Sequence, residues 1–323
     1  MPVSFSIKVK EELSRIIPAA RHCRIAETAA MVSMCGRLQT GEEGSGRAIV
    51  LRTENVTVAR KYFTLLKKTF NIEVSVSVRR EQNLNKSRVY FLTIDDEAAR
   101  NLLMTCRLRE EPGGGFMMDD ELIVQRDCCR RAFIRGAFLA SGSVSDPVRS
   151  YHFEIVCSRE DKAAYIRKIM GTFQIPARVI RRKTHYVVYV KDSSQVVDLL
   201  NVMGAYKALM DMENVRIVKE MRNRVNRNVN CETANISKTA AAAVRQISDI
   251  EYIMDSSAFY RLPQQIRETA QLRLRYPEAT LSELGSMLDP QVGKSGINHR
   301  LNKISRFAQE LRDKSSDNSK VHD

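Results

Sequence analysis

Hydrophobic positions along the chain switch between two periods, and the order of the switches repeats. Val58, Tyr62, Leu65 and Leu66 recur at helical spacing, after which Phe70-Asn71-Ile72-Glu73-Val74-Ser75-Val76-Ser77-Val78-Arg79-Arg80 starts a strand. A second helical set, Ala164, Ile166, Ile169 and Met170, leads into an echo of that segment, Phe173-Gln174-Ile175-Pro176-Ala177-Arg178-Val179-Ile180-Arg181-Arg182. Each copy continues into another β-rich stretch, at 89–94 and 186–191, and then a helix ending at Leu102-Leu103 or Leu199-Leu200. Strands at 48–52 and 151–156 precede the middle helices, and before them lie two apolar helices that end in glycine, Ile25 to Gly36 and Cys129 to Gly142. The pattern predicts an α+β fold: two αββαββα units that pair through the glycine-ended helices, with the sheets as a shared pseudo-twofold saddle.

The last quarter of the chain has only the helical period. Pro263 suits a first helical position, and Pro277 ends a run holding Leu262, Ile266, Ala270 and Leu274. Thr280-Leu281-Ser282-Glu283 is a capping box, in which the hydroxyl and the carboxylate each satisfy a free amide at a helix start. Leu281, Leu284 and Leu288 line one side, Gly285 allows close helix approach, and Asp289-Pro290-Gln291-Val292-Gly293 is a turn. In the next helix Ile297, Leu301, Ile304, Ala308 and Leu311 share a face. Lys294, Ser295, Asn298, His299, Arg300, Asn302 and Lys303 crowd the other faces with groups that read bases or bind phosphates, joined by Ser282 from the preceding helix. A plain helical domain with a solvated basic face has a similar composition. Clustering on the second helix of a tight pair favours a helix-turn-helix that enters duplex DNA.

These readings divide the chain into an N-terminal segment with the first repeat (1–112), the second repeat (113–210), a helical Asn/Arg-rich connector (211–254), the helix-turn-helix (255–312) and a polar, disordered tail (313–323). Because asparagine disfavours helix interiors, Arg222-Asn223-Arg224-Val225-Asn226-Arg227-Asn228-Val229-Asn230-Cys231-Glu232-Thr233-Ala234-Asn235 predicts a bend between two helices. Arg222, Arg224 and Arg227 would follow a phosphate backbone there, or the stretch is a solvated hinge. Gly113-Gly114-Gly115 reads as a flexible link between the repeats.

Charge and cysteine use narrow the function. With 52 Lys plus Arg against 38 Asp plus Glu, the net charge of +14 attracts polyanions. No apolar run reaches the roughly 20 residues that span a bilayer, and Met1 to Arg15 lacks a signal-peptide core, so a cytoplasmic, nucleoid-associated protein is expected. Seven cysteines without a Cys-x-x-Cys fit a reducing compartment and the role of small buried hydrophobes. Local spacing assembles no zinc site from them or from the five histidines, so neither metal nor cofactor is expected. Gly41 and Gly46 have P-loop spacing, but Arg47-Ala48 stands where Lys-Ser/Thr is required and Glu42-Glu43 would repel phosphate.

The repeat resembles the LAGLIDADG homing-endonuclease fold, with Ile134-Arg135-Gly136-Ala137-Phe138-Leu139-Ala140-Ser141-Gly142 matching its signature helix and 28–36 matching it more weakly. Gly136 and Ala140 supply a small-residue face. Nucleases of that fold carry an acid just before each final glycine to hold divalent cations. Here those positions are Cys35 and Ser141, which are degenerate, so the resemblance implies a saddle without catalytic residues. Arg52, Arg79, Arg80, Arg88, Arg178, Arg181, Arg182 and Lys183 lie on or beside its strands, where alternation lets about half face a duplex.

Over nearly its whole length the chain resembles the WhiA family of bacterial transcriptional regulators. The most specific stretches are Glu213-Asn214-Val215-Arg216, the Asn/Arg connector, Arg273-Leu274-Arg275-Tyr276-Pro277 and 294–301. The resemblance implies a non-enzymatic, sequence-specific binder of promoter DNA that acts in cell division, chromosome segregation or sporulation. A monomer is compatible with this, as is a protein co-regulator. Two alternatives stay open: an endonuclease using displaced acids such as Glu42, Glu43 or Asp146, and an RNA-binding protein of the maturase type.

Overall fold

The computed structural model describes residues 4–40, 47–80 and 88–319. Backbone packing divides the chain into one unit of residues 1–220 and a second of 221–323.

The first unit opens with α1 (Phe5–Ser14) and then runs α2 (Arg21–Cys35), β1 (Gly36–Thr40), β2 (Arg47–Thr53), α3 (Val56–Phe70), β3 (Ser75–Arg80), β4 (Arg88–Ile94) and α4 (Asp96–Thr105). A hairpin of β5 (Leu108–Glu110) and β6 (Phe116–Met118) follows. The order then recurs as α5 (Asp127–Ser141), β7 (Gly142–Val144), β8 (Phe153–Cys157), α6 (Glu160–Gly171), β9 (Arg178–Arg182), β10 (His185–Val190) and α7 (Ser193–Met203). The two αββαββα units are therefore present. Their antiparallel sheets have the same strand order, β1-β2-β4-β3 and β7-β8-β10-β9. Local chemistry sets the helix limits: Asn55 accepts from the amides of Thr57 and Val58 at the start of α3, Asp192 does so at α7, and Gly204, at φ 89°, ends α7.

Register places Ile49 opposite Ile94, Leu51 opposite Leu92 and Val188 opposite Ile155, all buried under the helices. The seam between the repeats is α2 against α5, and Gly136 sets how close they come. A Cβ there would lie 2.4 Å from the Glu27 carbonyl oxygen and 3.0 Å from the Ala30 Cβ. Across this seam Glu27 is fully buried, and both its oxygens accept from Arg135 at 3.0 Å. Lys61 of α3 pairs with the same carboxylate and also donates to the Leu13 carbonyl at 2.8 Å.

Three expectations change. Gly113 and Gly114 take positive φ in the turn of the β5–β6 hairpin, and the Gly114 carbonyl accepts from the Leu38 amide at 2.7 Å. The triglycine is thus a tied-down turn, since only glycine takes such angles freely, and not a loose link. The Asn/Arg stretch does not divide two helices: α8 is one continuous helix, Tyr206–Asp255. Asparagine costs only a fraction of a kcal/mol in a helix, and no proline or glycine falls within those 50 residues. The tail, finally, is helical as far as Ser319, because nothing stops the helix begun at Lys294, while residues 320–323 lie outside the described residues.

In the second unit α9 (Gln264–Arg275), α10 (Leu281–Ser286) and α11 (Lys294–Ser319) enclose a core of Ile266, Ala270, Leu284, Leu288, Ile297, Leu301, Ile304 and Ala308. Ile250 and Ile253 from the end of α8 belong to this core, so the helical domain reaches upstream of residue 255. Arg312 reinforces the connection, bonding Asp249 at 2.8 Å and lying over the Tyr252 ring.

Candidate nucleic-acid interface

The expected capping box is formed: the Thr280 hydroxyl accepts from the Glu283 amide at 3.3 Å, and the Glu283 carboxylate from the Thr280 amide at 2.7 Å. A Cβ on Gly285 would meet the Val292 carbonyl oxygen at 1.9 Å, so the chain leaving the turn passes directly against α10. Arg273, buried beneath, donates to the Pro277 and Ala279 carbonyls at 3.2 and 2.7 Å and fixes the approach to α10. This explains its place in the Arg273-to-Pro277 stretch.

On α11 the buried face is the one the apolar spacing predicts. Ile297, Leu301, Ile304 and Ala308 are at most 1% exposed. Lys294, Ser295, Asn298, His299, Asn302 and Lys303 are exposed, and so is Ser282 on α10. Ser295, Asn298, His299 and Asn302 follow i, i+3, i+4, i+7 spacing and share one outward face. Arg306, absent from the sequence-derived set, is exposed one turn further on.

Arg300 differs from its neighbours. It is half-buried, and its Nη1 donates to the Gln265 carbonyl and to Thr269 Oγ1, each at 3.3 Å, so it ties α11 to α9 and does not extend with the outward set. Arg300→Ala is expected to cost about 1 kcal/mol of stability and to leave preference among duplex sequences unchanged, as read by thermal unfolding and competition binding.

Arg222, Arg224 and Arg227 are all exposed on α8, but the continuous helix separates them. At about 100° per residue, Arg224 and Arg227 are about 60° apart and Arg222 is roughly 140–160° from both. Lys238 and Arg245, also exposed, continue the line of Arg227 at helical spacing. That basic stripe could have been read from the sequence had the helix been taken as unbroken.

Strand pairing sorts the saddle arginines. Arg52 pairs with Phe91, Arg79 with Val89, Arg178 with Tyr189 and Arg182 with His185, all on the face turned away from the helices. Arg80, Arg88 and Arg181 have the opposite parity, and Lys183 is in the turn after β9. Glu154 interrupts the open face, where it accepts from Ser143 at 3.0 Å and contacts His152 and Arg182.

The helix ends that would carry nuclease acids hold other chemistry. Cys35 Sγ donates to the Met31 carbonyl at 3.2 Å, and burial pushes its thiol up to about 11, so the proton stays on. Ser141 Oγ points back to the Ala137 carbonyl at 3.5 Å. The Asp146 carboxylate accepts from the Val148 amide within its own turn, and Glu42 and Glu43 lie outside the described residues.

Three family models match in chain order: the WhiA N-terminal LAGLIDADG-like domain over residues 21–108, the WhiA LAGLIDADG-like domain over 130–222 and the WhiA C-terminal HTH domain over 225–308. A protein of Lachnoclostridium phytofermentans named probable cell division protein WhiA is 49% identical over 313 residues, covering 96% of this chain and 100% of that relative. The chain belongs to the WhiA family. A relative of the same name from Heliobacterium modesticaldum is 44% identical, with 95% of this chain and 96% of that one covered. Among solved structures, full-length DUF199/WhiA from Thermatoga maritima superposes with a TM-score of 0.58 at 25% identity, over 95% of this chain and 99% of that one. The WhiA resemblance and the LAGLIDADG-like saddle with an all-α helix-turn-helix domain thus hold.

This WhiA chain also assembles a group that local spacing does not reveal. His22, Cys23, Cys128 and Cys129 bring one nitrogen and three sulfurs within 4.8 Å of one another, a grouping made by residues far apart in the chain and so invisible to local spacing. Nor are all the cysteines buried hydrophobes, for Cys128 and Cys231 are exposed. The signal was in the repeat: Cys23 precedes Gly36 by 36 − 23 = 13 residues, and Cys129 precedes Gly142 by 142 − 129 = 13. Aligning the two repeats, and not scanning for nearby ligands, would have brought the pairs together.

Proposed function

We propose that this chain is a non-enzymatic, sequence-specific DNA-binding regulator of transcription, with promoter duplex as its partner. The observation that carries the reading is the outward face of α11, where Ser295, Asn298, His299 and Asn302 stand clear of the core on the second helix of a capped pair. Lys294 and Lys303 flank them with charge for phosphates. Arg224, Arg227, Lys238 and Arg245 add a sequence-independent contribution, and the open saddle face offers Arg52, Arg79, Arg178 and Arg182 for a similar purpose. Relatives named as cell division proteins support a role in division, and by extension in chromosome segregation or sporulation, at the nucleoid in the cytoplasm. A thiol and a hydroxyl at the two helix ends support the absence of strand cleavage.

Genome-wide mapping of occupied sites, followed by competition binding on the recovered duplexes, tests this reading. His299→Ala or Asn298→Ala should lose roughly 1–3 kcal/mol of site discrimination for each base contact removed. Arg224→Ala combined with Arg227→Ala should weaken all sequences alike and flatten the salt dependence. An unchanged footprint in the α11 variants would reject the assignment, and scission of supercoiled DNA in magnesium would reject its non-enzymatic part.

A further inference from the structure

The first turns of α2 and α5 meet at the end of the seam opposite Cys35 and Ser141, and they bring together two adjacent pairs, His22-Cys23 and Cys128-Cys129. His22 Nδ1 is 3.3 Å from Cys23 Sγ and 3.1 Å from Cys129 Sγ. Tetrahedral zinc, with Zn–S near 2.3 Å and Zn–N near 2.0–2.1 Å, holds its ligand atoms about 3.4–3.8 Å apart. Two of the observed separations are already below that range, and the whole set is within 4.8 Å, so small side-chain rotations would complete the tetrahedron.

From this geometry we propose that His22, Cys23, Cys128 and Cys129 form a structural zinc site that clamps together the starts of the two pseudo-twofold helices. Three thiolates and one imidazole are a soft donor set suited to zinc, and four protein ligands leave no position for a reacting water, so the site staples and does not catalyse. Its charge is suited to its place. Zinc with three thiolates carries one net negative charge, and it would sit at two helix N-termini, where the backbone amides favour negative charge and thiolates. Arg21 and Arg24 flank one pair in sequence, and Arg126, Asp127, Arg130 and Arg131 the other, with Arg130 already paired to Asp127 at 2.9 Å. Packing at this point is thin, with Ala26 and Ala132 the buried neighbours of Cys23 and Cys129. Metal ligation would supply the cohesion that such small side chains do not.

The test uses the full chain, stripped of metal by a chelator and titrated under reducing conditions with Co²⁺ as the spectroscopic probe and Zn²⁺ as its competitor. One equivalent of Co²⁺ should give the visible bands of a tetrahedral ion with thiolate charge-transfer absorption, and one equivalent of Zn²⁺ should abolish them. Zn²⁺ should raise the thermal midpoint of the wild-type chain by several degrees and leave that of Cys128→Ser much less affected; Cys128 is exposed, so the variant keeps its packing. Cys231→Ser, on α8, should behave as wild type. Absence of the tetrahedral spectrum at stoichiometric Co²⁺, an unchanged spectrum in Cys128→Ser, or a Cys23–Cys129 disulfide in protein alkylated straight from cells would each overturn the proposal. The Co²⁺ titration of the wild-type chain decides the matter even if a variant fails to fold.

Discussion

Glu27→Ala is expected to destabilise the saddle by about 3–5 kcal/mol, the range for removing one partner of a buried ion pair. Glu27 is fully buried and is the single carboxylate shared by Arg135 and Lys61. Its loss leaves two cations facing each other in the core, with a cavity where the carboxylate was. Urea unfolding of the full chain should show an earlier first transition with the helical unit's transition in place; coincident, unshifted transitions would refute the account. Lys61 gives the same cluster a pH dependence. Burial lowers its ammonium to about 8, against an ordinary value of 10.5. Between those values the unfolded chain holds a proton that the folded chain has released. The contribution of Lys61 to stability therefore rises with pH across that window and is least favourable below it.

Gly285→Ala is expected to abolish specific DNA binding while leaving the saddle intact. The added carbon would lie 1.9 Å from the Val292 carbonyl oxygen, a backbone atom that cannot rotate aside. Relief requires the 289–293 turn to move, and with it the start of α11 and the Gly285 carbonyl's bond from the Val292 amide at 3.1 Å. Overpacking of this kind costs about 1–3 kcal/mol, enough to disorder a small helical unit in part and misplace Asn298 and His299. Affinity for specific duplex should fall toward the nonspecific level. Retained specific affinity with an unaltered melting profile would show that the turn is not tightly built.

The repeat and the helix-turn-helix were legible because each depends on period and on near neighbours. Ile297, Leu301, Ile304 and Ala308 declare their face within one helix, and Thr280 finds Glu283 three residues away. Long-range chemistry was not legible. Glu27 and Arg135 are 108 residues apart, and nothing in the local pattern around either predicts the other. His22 and Cys129 are 107 apart and meet only because α2 and α5 pair from the same end. The connector departs from its expected bend for a different reason: asparagine disfavours a helix one residue at a time, and over a long stretch without a breaker the cooperative gain of propagating a helix outweighs it. Arg300 shows the limit of reading a helix as a wheel, since Gln265 and Thr269 of another helix claim it.

The substitutions at the ends of the seam helices bear on economy as well as chemistry. A cutting enzyme of this architecture must hold two anions side by side where two rows of outward-pointing carbonyls already concentrate negative potential. Cys35 and Ser141 replace that standing repulsion with donors directed at the carbonyls of Met31 and Ala137. Helix ends that carry no paired carboxylates gain rigidity, one side of the familiar exchange between a strained working centre and a stable framework. Helix ends relieved of that tension leave more stability in reserve to absorb destabilising changes elsewhere in the saddle.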